Sequence, residues 1–263
     1  MLAPARLPLR YRLFNLRWGA PSGRLIRGFI KGRRRGTKWG APLVGCFAFQ
    51  TNNSTRRFEY PWAYEALALR PGLRVLEIGG GLSGFQFAID RAGCSVVNVD
   101  PGDEFFTRGW PVTPETMNTL NHVLGTNVTL LNSYLQDAAF PDDSFDRVVS
   151  VSVFEHIPEE ALGPLLEEVR RVLKPGGLLV LTVDLFLDVK PFTEAPTNTY
   201  GHNVSVKWII EKSGMRLIHG NPSELFGHPQ FDSQAIQARR SALLVGKYPA
   251  MVQSVVLQKA SDL

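Results

Sequence analysis

From Glu59 onward the apolar positions fall into two alternating rhythms: stretches with helical spacing, and short, nearly unbroken apolar runs. Pro61 to Leu69 reads as a helix, and Pro71-Gly72 punctuates before the apolar run Arg74 to Ile78. A helix is predicted from Ser83 to Ala92, then a strand from Ser95 to Val99 that ends at Asp100. Val128 to Leu131 and Asp146 to Val151 give two more strands, followed by an amphipathic helix over Glu159 to Leu173. The turn Lys174-Pro-Gly-Gly177 leads into a strand from Leu178 to Val183. Val204 to Ser213 then looks helical, and Met215 to Ile218 and Gln253 to Gln258 look extended. Strands apolar on both faces, alternating with helices, predict a parallel sheet covered on both sides and wound right-handedly.

This is a Rossmann-like α/β pattern, and 263 residues suffice for one such core plus an extension. The expected division is a basic, partly helical extension over 1–58 and a catalytic domain over 59–263. Acceptor-side insertions are expected around 185–203 and 220–250. Charge marks the boundary: residues 1–58 hold 13 Lys/Arg and no Asp/Glu, leaving 16 basic and 24 acidic residues beyond, so +13 faces −8. Such an arm suits an anionic partner. Within it, Leu25, Ile26, Phe29 and Ile30 alternate with Arg24, Arg27 and Lys31 at helical spacing. That stripe either packs on the catalytic domain or, across residues 22–35, meets an anionic membrane surface. An Arg-rich, acid-poor start also resembles a mitochondrial presequence, although its prolines fit a cytoplasmic protein better, one peripheral to a membrane if the stripe lies on lipid. No apolar run approaches the roughly 18 residues of a membrane span. Two distant cysteines and scattered histidines predict neither a disulfide framework nor a metal site.

The chemistry begins at Glu77-Ile-Gly79-Gly80-Gly81-Leu-Ser-Gly84, where the first strand turns into a helix. Glycines allow a sharp turn and close backbone approach to a ligand, and the following helix offers its first amides. A dinucleotide fold would use this turn for a pyrophosphate, and Asp100, 21 residues past Gly79, would take the ribose hydroxyls of either cofactor. Glu77 separates the cases. A carboxylate there repels a pyrophosphate but suits the ammonium and sulfonium end of S-adenosylmethionine.

Further segments carry a resemblance: Asn98-Val-Asp100, Phe140-Pro-Asp-Asp-Ser-Phe-Asp146, Val151-Ser-Val-Phe-Glu-His-Ile157 and Val172-Leu-Lys-Pro-Gly-Gly-Leu178 follow Val75-Leu-Glu-Ile-Gly-Gly-Gly81 in order. Together they resemble a class I S-adenosylmethionine-dependent methyltransferase of the small-molecule type across about residues 70–184. The resemblance implies a mostly parallel seven-stranded sheet, S-adenosyl-L-methionine as cofactor and S-adenosyl-L-homocysteine as product. It implies that Glu77 faces the methionine amino group, that Gly79, Gly80 and Gly81 line the methionine portion, and that Asp100 holds the ribose. Ser133-Tyr134-Leu135 stands where the family carries a Gly-Asp-Ala type adenine loop. Tyr134 would then stack on the ring, or Ser133 or Gln136 supply the polar contact. Ser150 and Ser152 fall where the family's backbone nears the methionine end.

Methyl transfer from a sulfonium needs alignment and exclusion of water, and an alcohol acceptor also needs a base. His156 is the first candidate base and His202, in Tyr200-Gly-His-Asn203, the second. Each has a bland alternative, as a loop organiser and as polar lining respectively. Tyr200 and Asn203 would line an acceptor pocket, and Tyr60 and Trp62, just before the first strand, would shield it or simply pack. Asp184 and Asp188 beside Glu155 are read as solvated acids and not as metal ligands. The acceptor is expected to be a small molecule or glycan-like, methylated at a hydroxyl oxygen. Nucleic acid is disfavoured because Val151-Ser-Val-Phe154 stands where an Asn/Asp-Pro-Pro-aromatic motif would be. The competing readings are a nicotinamide-dependent oxidoreductase and a non-catalytic binding module.

Overall fold

The computed structural model describes residues 1–30, 32–102 and 109–261. Contacts divide the chain into two compact units, Pro8–Ala139 and Met1–Leu7 with Phe140–Leu263.

In the first unit, α1 (Leu9–Trp18), α2 (Gly40–Val44) and α3 (Arg56–Ala66) precede β1 (Arg74–Ile78), α4 (Phe85–Asp90), β2 (Ser95–Val99), α5 (Pro114–Leu124) and β3 (Thr129–Leu131). The three strands are parallel, with Leu76 opposite Val97 and Asn98 opposite Leu130. Pro61 signals a helix start, yet α3 begins five residues earlier and carries the proline inside. A proline there leaves the carbonyl of Arg57 without its amide. Asn15 on α1 compensates, donating through Nδ2 to that carbonyl at 2.8 Å. The stripe at 22–35 is no α-helix but two 3-10 turns, Leu25–Gly28 and Gly32–Gly36. Glycines at 23, 28, 32 and 36 withdraw the backbone stability a short α-helix needs. Lys31, the last cation of that pattern, lies outside the described residues.

The second unit holds β4 (Phe145–Val151), α6 (Glu159–Val172), β5 (Leu173–Phe186), α7 (Val206–Ser213), β6 (Arg216–His219), α8 (Ser233–Ala238) and β7 (Ala250–Gln258). β4 and β5 are parallel, whereas β7 runs antiparallel to both β5 and β6. Between Phe145↔Leu173 and Arg147↔Leu178 the register jumps, so the Lys174-Pro-Gly-Gly177 turn is a bulge within one long strand. The first residues of the chain belong here, with Leu2 bridging to Gln253 and Pro4 to Leu243. Leu2 enters an apolar cluster with Leu185, Leu187, Ile236, Leu243 and Met251, which anchors both expected insertions. The strand order of the sheet is β3-β2-β1-β4-β5-β7-β6, the mostly parallel seven-stranded arrangement expected.

Candidate active site

At the end of β1 the chain turns through Gly79 (φ 69°) and Gly81 (φ 50°). Two side chains hold the turn by its backbone: Asn98 of β2 accepts from Gly80 N and donates to the Gly81 carbonyl, and Gln86 of α4 donates to the same carbonyl. Gln50, from the basic segment, accepts from Leu82 N at 2.7 Å. A Cβ on Gly81 would meet Gln50 Oε1 at 2.6 Å, and one on Gly84 would meet the Cys46 carbonyl oxygen at 2.6 Å. Residues 46–50 therefore lie against the turn, and glycine is required for that approach. Neither Gln50 nor Asn98 was singled out as a turn organiser by the sequence, where Asn98 stood only in the segment Asn98-Val-Asp100; the structure pairs it with Glu77 across β1 and β2.

Glu77 is buried, and its Oε2 meets no hydrogen-bond donor among the described residues. Its carboxylate occupies the space a Gly80 Cβ would take, 2.5 Å from Cδ. Loss of solvation, with the charge of Asp100 added, pushes its pKa up to about 8. The two oxygens of Asp100 accept from Gly81 N (2.7 Å) and Gly102 N (2.9 Å). In the loop after β3, Leu135 is buried and Tyr134 exposed, while the buried Oγ of Ser133 has no hydrogen-bond partner. Tyr60 and Trp62 are both buried. Tyr60 stacks on Phe85 at 5.3 Å, packs on Phe47 and donates its hydroxyl to Asn52, so its ring supports the turn from below.

The second unit carries the other expected residues. Ser150 and Ser152 are buried at the end of β4, and Ser152 takes a left-handed φ of 46° with its amide held by Thr182. Ser152 and Tyr248 both donate to Asp184, the latter at 2.6 Å, and Asp184 N donates to Glu155. Asp184 is thus no solvated acid but a buried one, fully engaged with hydroxyls. Asp188 instead accepts from the Asn198 amide at the surface. Gly201 comes so close to Glu155 that a Cβ would lie 2.9 Å from its carbonyl oxygen. That approach brings His156, exposed, to the Tyr200 carbonyl at 2.9 Å through Nδ1. A carbonyl can only accept, so Nδ1 carries the proton and the neutral ring's lone pair is on Nε2. Tyr200 stacks on Tyr248 at 4.5 Å. His202 lies apart, in a cleft of about 280 Å³ with Glu159, Ser205, Trp208 and Phe226. Asn203 borders the cleft too, but its amide is spent on the backbone of Phe186 and Lys190. Among the described residues no cluster of three or more His, Cys, Asp or Glu is placed to hold a metal ion.

A model of the methyltransferase domain matches residues 76–181, the span from β1 into β5. Over that span the chain is similar to the class I S-adenosylmethionine-dependent methyltransferases. Sterol 24-C-methyltransferase of Yarrowia lipolytica is 32% identical over 48% of this chain and 31% of its own length. Cyclopropane-fatty-acyl-phospholipid synthase of Escherichia coli is 35% identical over 44% of this chain and 28% of that protein. The chain thus spans about a third of the length of these curated relatives. The fold is shared with 1,6-didemethyltoxoflavin-N1-methyltransferase of Burkholderia thailandensis, solved with S-adenosylhomocysteine bound, at a TM-score of 0.53 and 15% identity over 99% of this chain and 95% of that one. The nicotinamide-dependent reading falls with that assignment. The family's methyl donor fits the residues present: a buried carboxylate without a donor, in front of a glycine turn, offers a cation the partner it lacks.

Proposed function

We propose that this methyltransferase passes a methyl group from S-adenosyl-L-methionine to a hydroxyl oxygen of a small-molecule or glycan-like acceptor. One observation carries the reading: Glu77, buried at the glycine turn with an oxygen that no group among the described residues satisfies. When bound, the donor supplies a methyl carbon activated by its sulfonium. Glu77 meets the donor's ammonium, Gly79, Gly80 and Gly81 leave room for its methionine portion, and Asp100 takes the ribose hydroxyls. Leu135 and Tyr134 flank the adenine, with Ser133 as the polar contact. Ser150 and Ser152 shape the methionine end. His156 takes the acceptor's hydroxyl proton on Nε2 as the oxygen–carbon bond forms and the carbon–sulfur bond breaks. Its tie to Tyr200 fixes the tautomer this requires. His202 and its cleft bind the acceptor's remaining groups.

Calorimetric titration with S-adenosyl-L-methionine, against nicotinamide cofactors as a control, tests the donor. Asp100→Ala is expected to weaken it about tenfold, as loss of hydrogen bonds to a charged group does. Unchanged affinity would remove the ribose contact. His156→Gln is expected to lower turnover at least 100-fold while leaving donor affinity alone, and wild-type turnover would remove the base. A second reading, methylation at carbon of a lipid, is favoured by the sterol and fatty-acyl-phospholipid relatives. It predicts turnover on such acceptors with no common hydroxyl. Donor binding without turnover on any acceptor would instead support the binding-module reading.

A further inference from the structure

α1 has two opposite faces. At about 100° per residue, Tyr11, Phe14 and Trp18 share one side, where Tyr11 meets Phe58 edge-on at 5.7 Å and Phe14 lies 5.1 Å from Tyr64. The reverse side carries Leu9, Leu13 and Leu16 at i, i+4 and i+7, and all three are exposed. Arg12 borders that leucine stripe on one flank, Arg10 and Arg17 on the other.

The stripe continues beyond the helix. The Arg24 guanidinium donates to the Arg17 carbonyl at the end of α1 and to the Pro42 carbonyl in α2, and its backbone N–H to Val44. One residue thus ties α1, the 3-10 turn Leu25–Gly28 and α2 together. In these segments Leu25 is 98% and Phe29 89% exposed, and Ile26, Trp39 and Leu43 are exposed as well. Ile30 alone of the sequence stripe is buried, so the stripe does not pack inward as a whole. Of eleven large apolar side chains exposed among the described residues, eight lie between Leu9 and Leu43. Single exposed leucines need no explanation, but a concentration of them does.

We infer that residues 9–43 form a surface that lies on, without crossing, an anionic phospholipid bilayer. Charge complementarity selects this occupant. The apolar side chains sit in a segment with 13 cations and no acid over residues 1–58, the composition of an interfacial element whose arginines reach up to phosphates while its leucines enter the acyl boundary. Six of the eight exposed side chains are aliphatic and offer nucleic acid no stacking platform; only Phe29 and Trp39 are aromatic. No helix among the described residues is long and apolar enough to cross a membrane.

Co-sedimentation of the intact chain with vesicles tests this, using phosphatidylcholine alone and phosphatidylcholine with about one third phosphatidylglycerol. Binding is expected to the mixed vesicles only, and to weaken several-fold as salt rises. The triple variant Leu13→Ser/Leu25→Ser/Phe29→Ser is expected to bind at least 100-fold more weakly, and Arg12→Gln/Arg17→Gln about tenfold more weakly. These side chains are exposed, so unchanged circular dichroism and Tm should accompany both losses. Failure of the wild-type chain to bind mixed vesicles at low salt would overturn the inference, as would a triple variant that binds normally. A stable dimer that the leucine substitutions dissociate would give the face to a second copy. Binding to RNA that the same substitutions leave intact, without vesicle binding, would give it to nucleic acid. Both would equally overturn the inference, and none of these readouts depends on methyl transfer.

Discussion

Glu77 and Asp184 are both carboxylates buried on strands of the sheet, yet they are in opposite electrostatic circumstances. Asp184 accepts from Ser152 and Tyr248, and the backbone around it is pinned by Glu155. Glu77 has one oxygen without a hydrogen-bond donor among the described residues, and its pKa rises to about 8 because burial and Asp100 both oppose its charge. Burial alone therefore does not mark a ligand site. What sets Glu77 apart is an unsatisfied buried oxygen directly in front of a glycine turn with room for a ligand. Asp184 is held by hydroxyls of its own loop cluster, whereas Glu77 is proposed to take a cation.

The comparison breaks most directly if Glu77 is neutralised. Glu77→Gln is expected to weaken S-adenosyl-L-methionine about 100-fold, the scale of a desolvated charge pair losing one partner. The wild-type affinity should also rise with pH between about 6 and 7.5, since a cationic ligand selects the ionised form and each proton must leave first. Titration calorimetry at several pH values reads both. A flat wild-type profile would mean that Glu77 does not meet the ammonium.

The same residue gives the next effect, on stability. Its folded pKa stands above its ordinary value of 4.5. Folding therefore favours the protonated form, and stability present below about pH 4.5 is lost as pH rises through about 8. Glu77→Gln should escape that loss, making the ligand-free protein more stable by on the order of 4 kcal/mol at pH 8 and nearly unchanged at pH 4.5. Urea denaturation at the two pH values checks it.

The contrast also shows what was legible beforehand. β1, β2 and the glycine turn follow from local signals: a continuous apolar run, then glycines whose positive φ no other residue accepts cheaply. Glu77 was legible for the same reason, as an acid at a strand end in front of that turn. Its lack of a partner was not, because satisfaction is a property of everything around a group. Asp184 was misread for the converse reason: Tyr248, 64 residues away, supplies the bond that engages it. α5 was missed despite clear signs, with Thr113 capping, Pro114 at the first turn and Gly125 closing it. Pro61 misled because the compensating Asn15 sits on another helix.

On the satisfied side the expected effects are smaller. Asp184→Asn keeps an acceptor for Tyr248 but loses the charge that strengthens two hydroxyl bonds, and about 1–2 kcal/mol of stability should go with it. Donor affinity should stay within about twofold of wild type.

Tyr248→Phe is the smallest and sharpest of these changes. The ring keeps its stacking on Tyr200 at 4.5 Å and its contact with Phe186 at 6.0 Å, and only the hydroxyl at 2.6 Å from Asp184 disappears. Removing one donor to a buried carboxylate should cost about 1–2 kcal/mol, toward the lower end because Ser152 still donates to it. Urea denaturation should show that loss with an unchanged m-value, since the surface exposed on unfolding is the same. S-adenosyl-L-methionine should bind as tightly as before. A tenfold loss of donor affinity in this variant would mean that the Asp184 cluster also serves the donor. The distinction between a satisfied acid that builds and an unsatisfied one that binds would then not hold for this molecule.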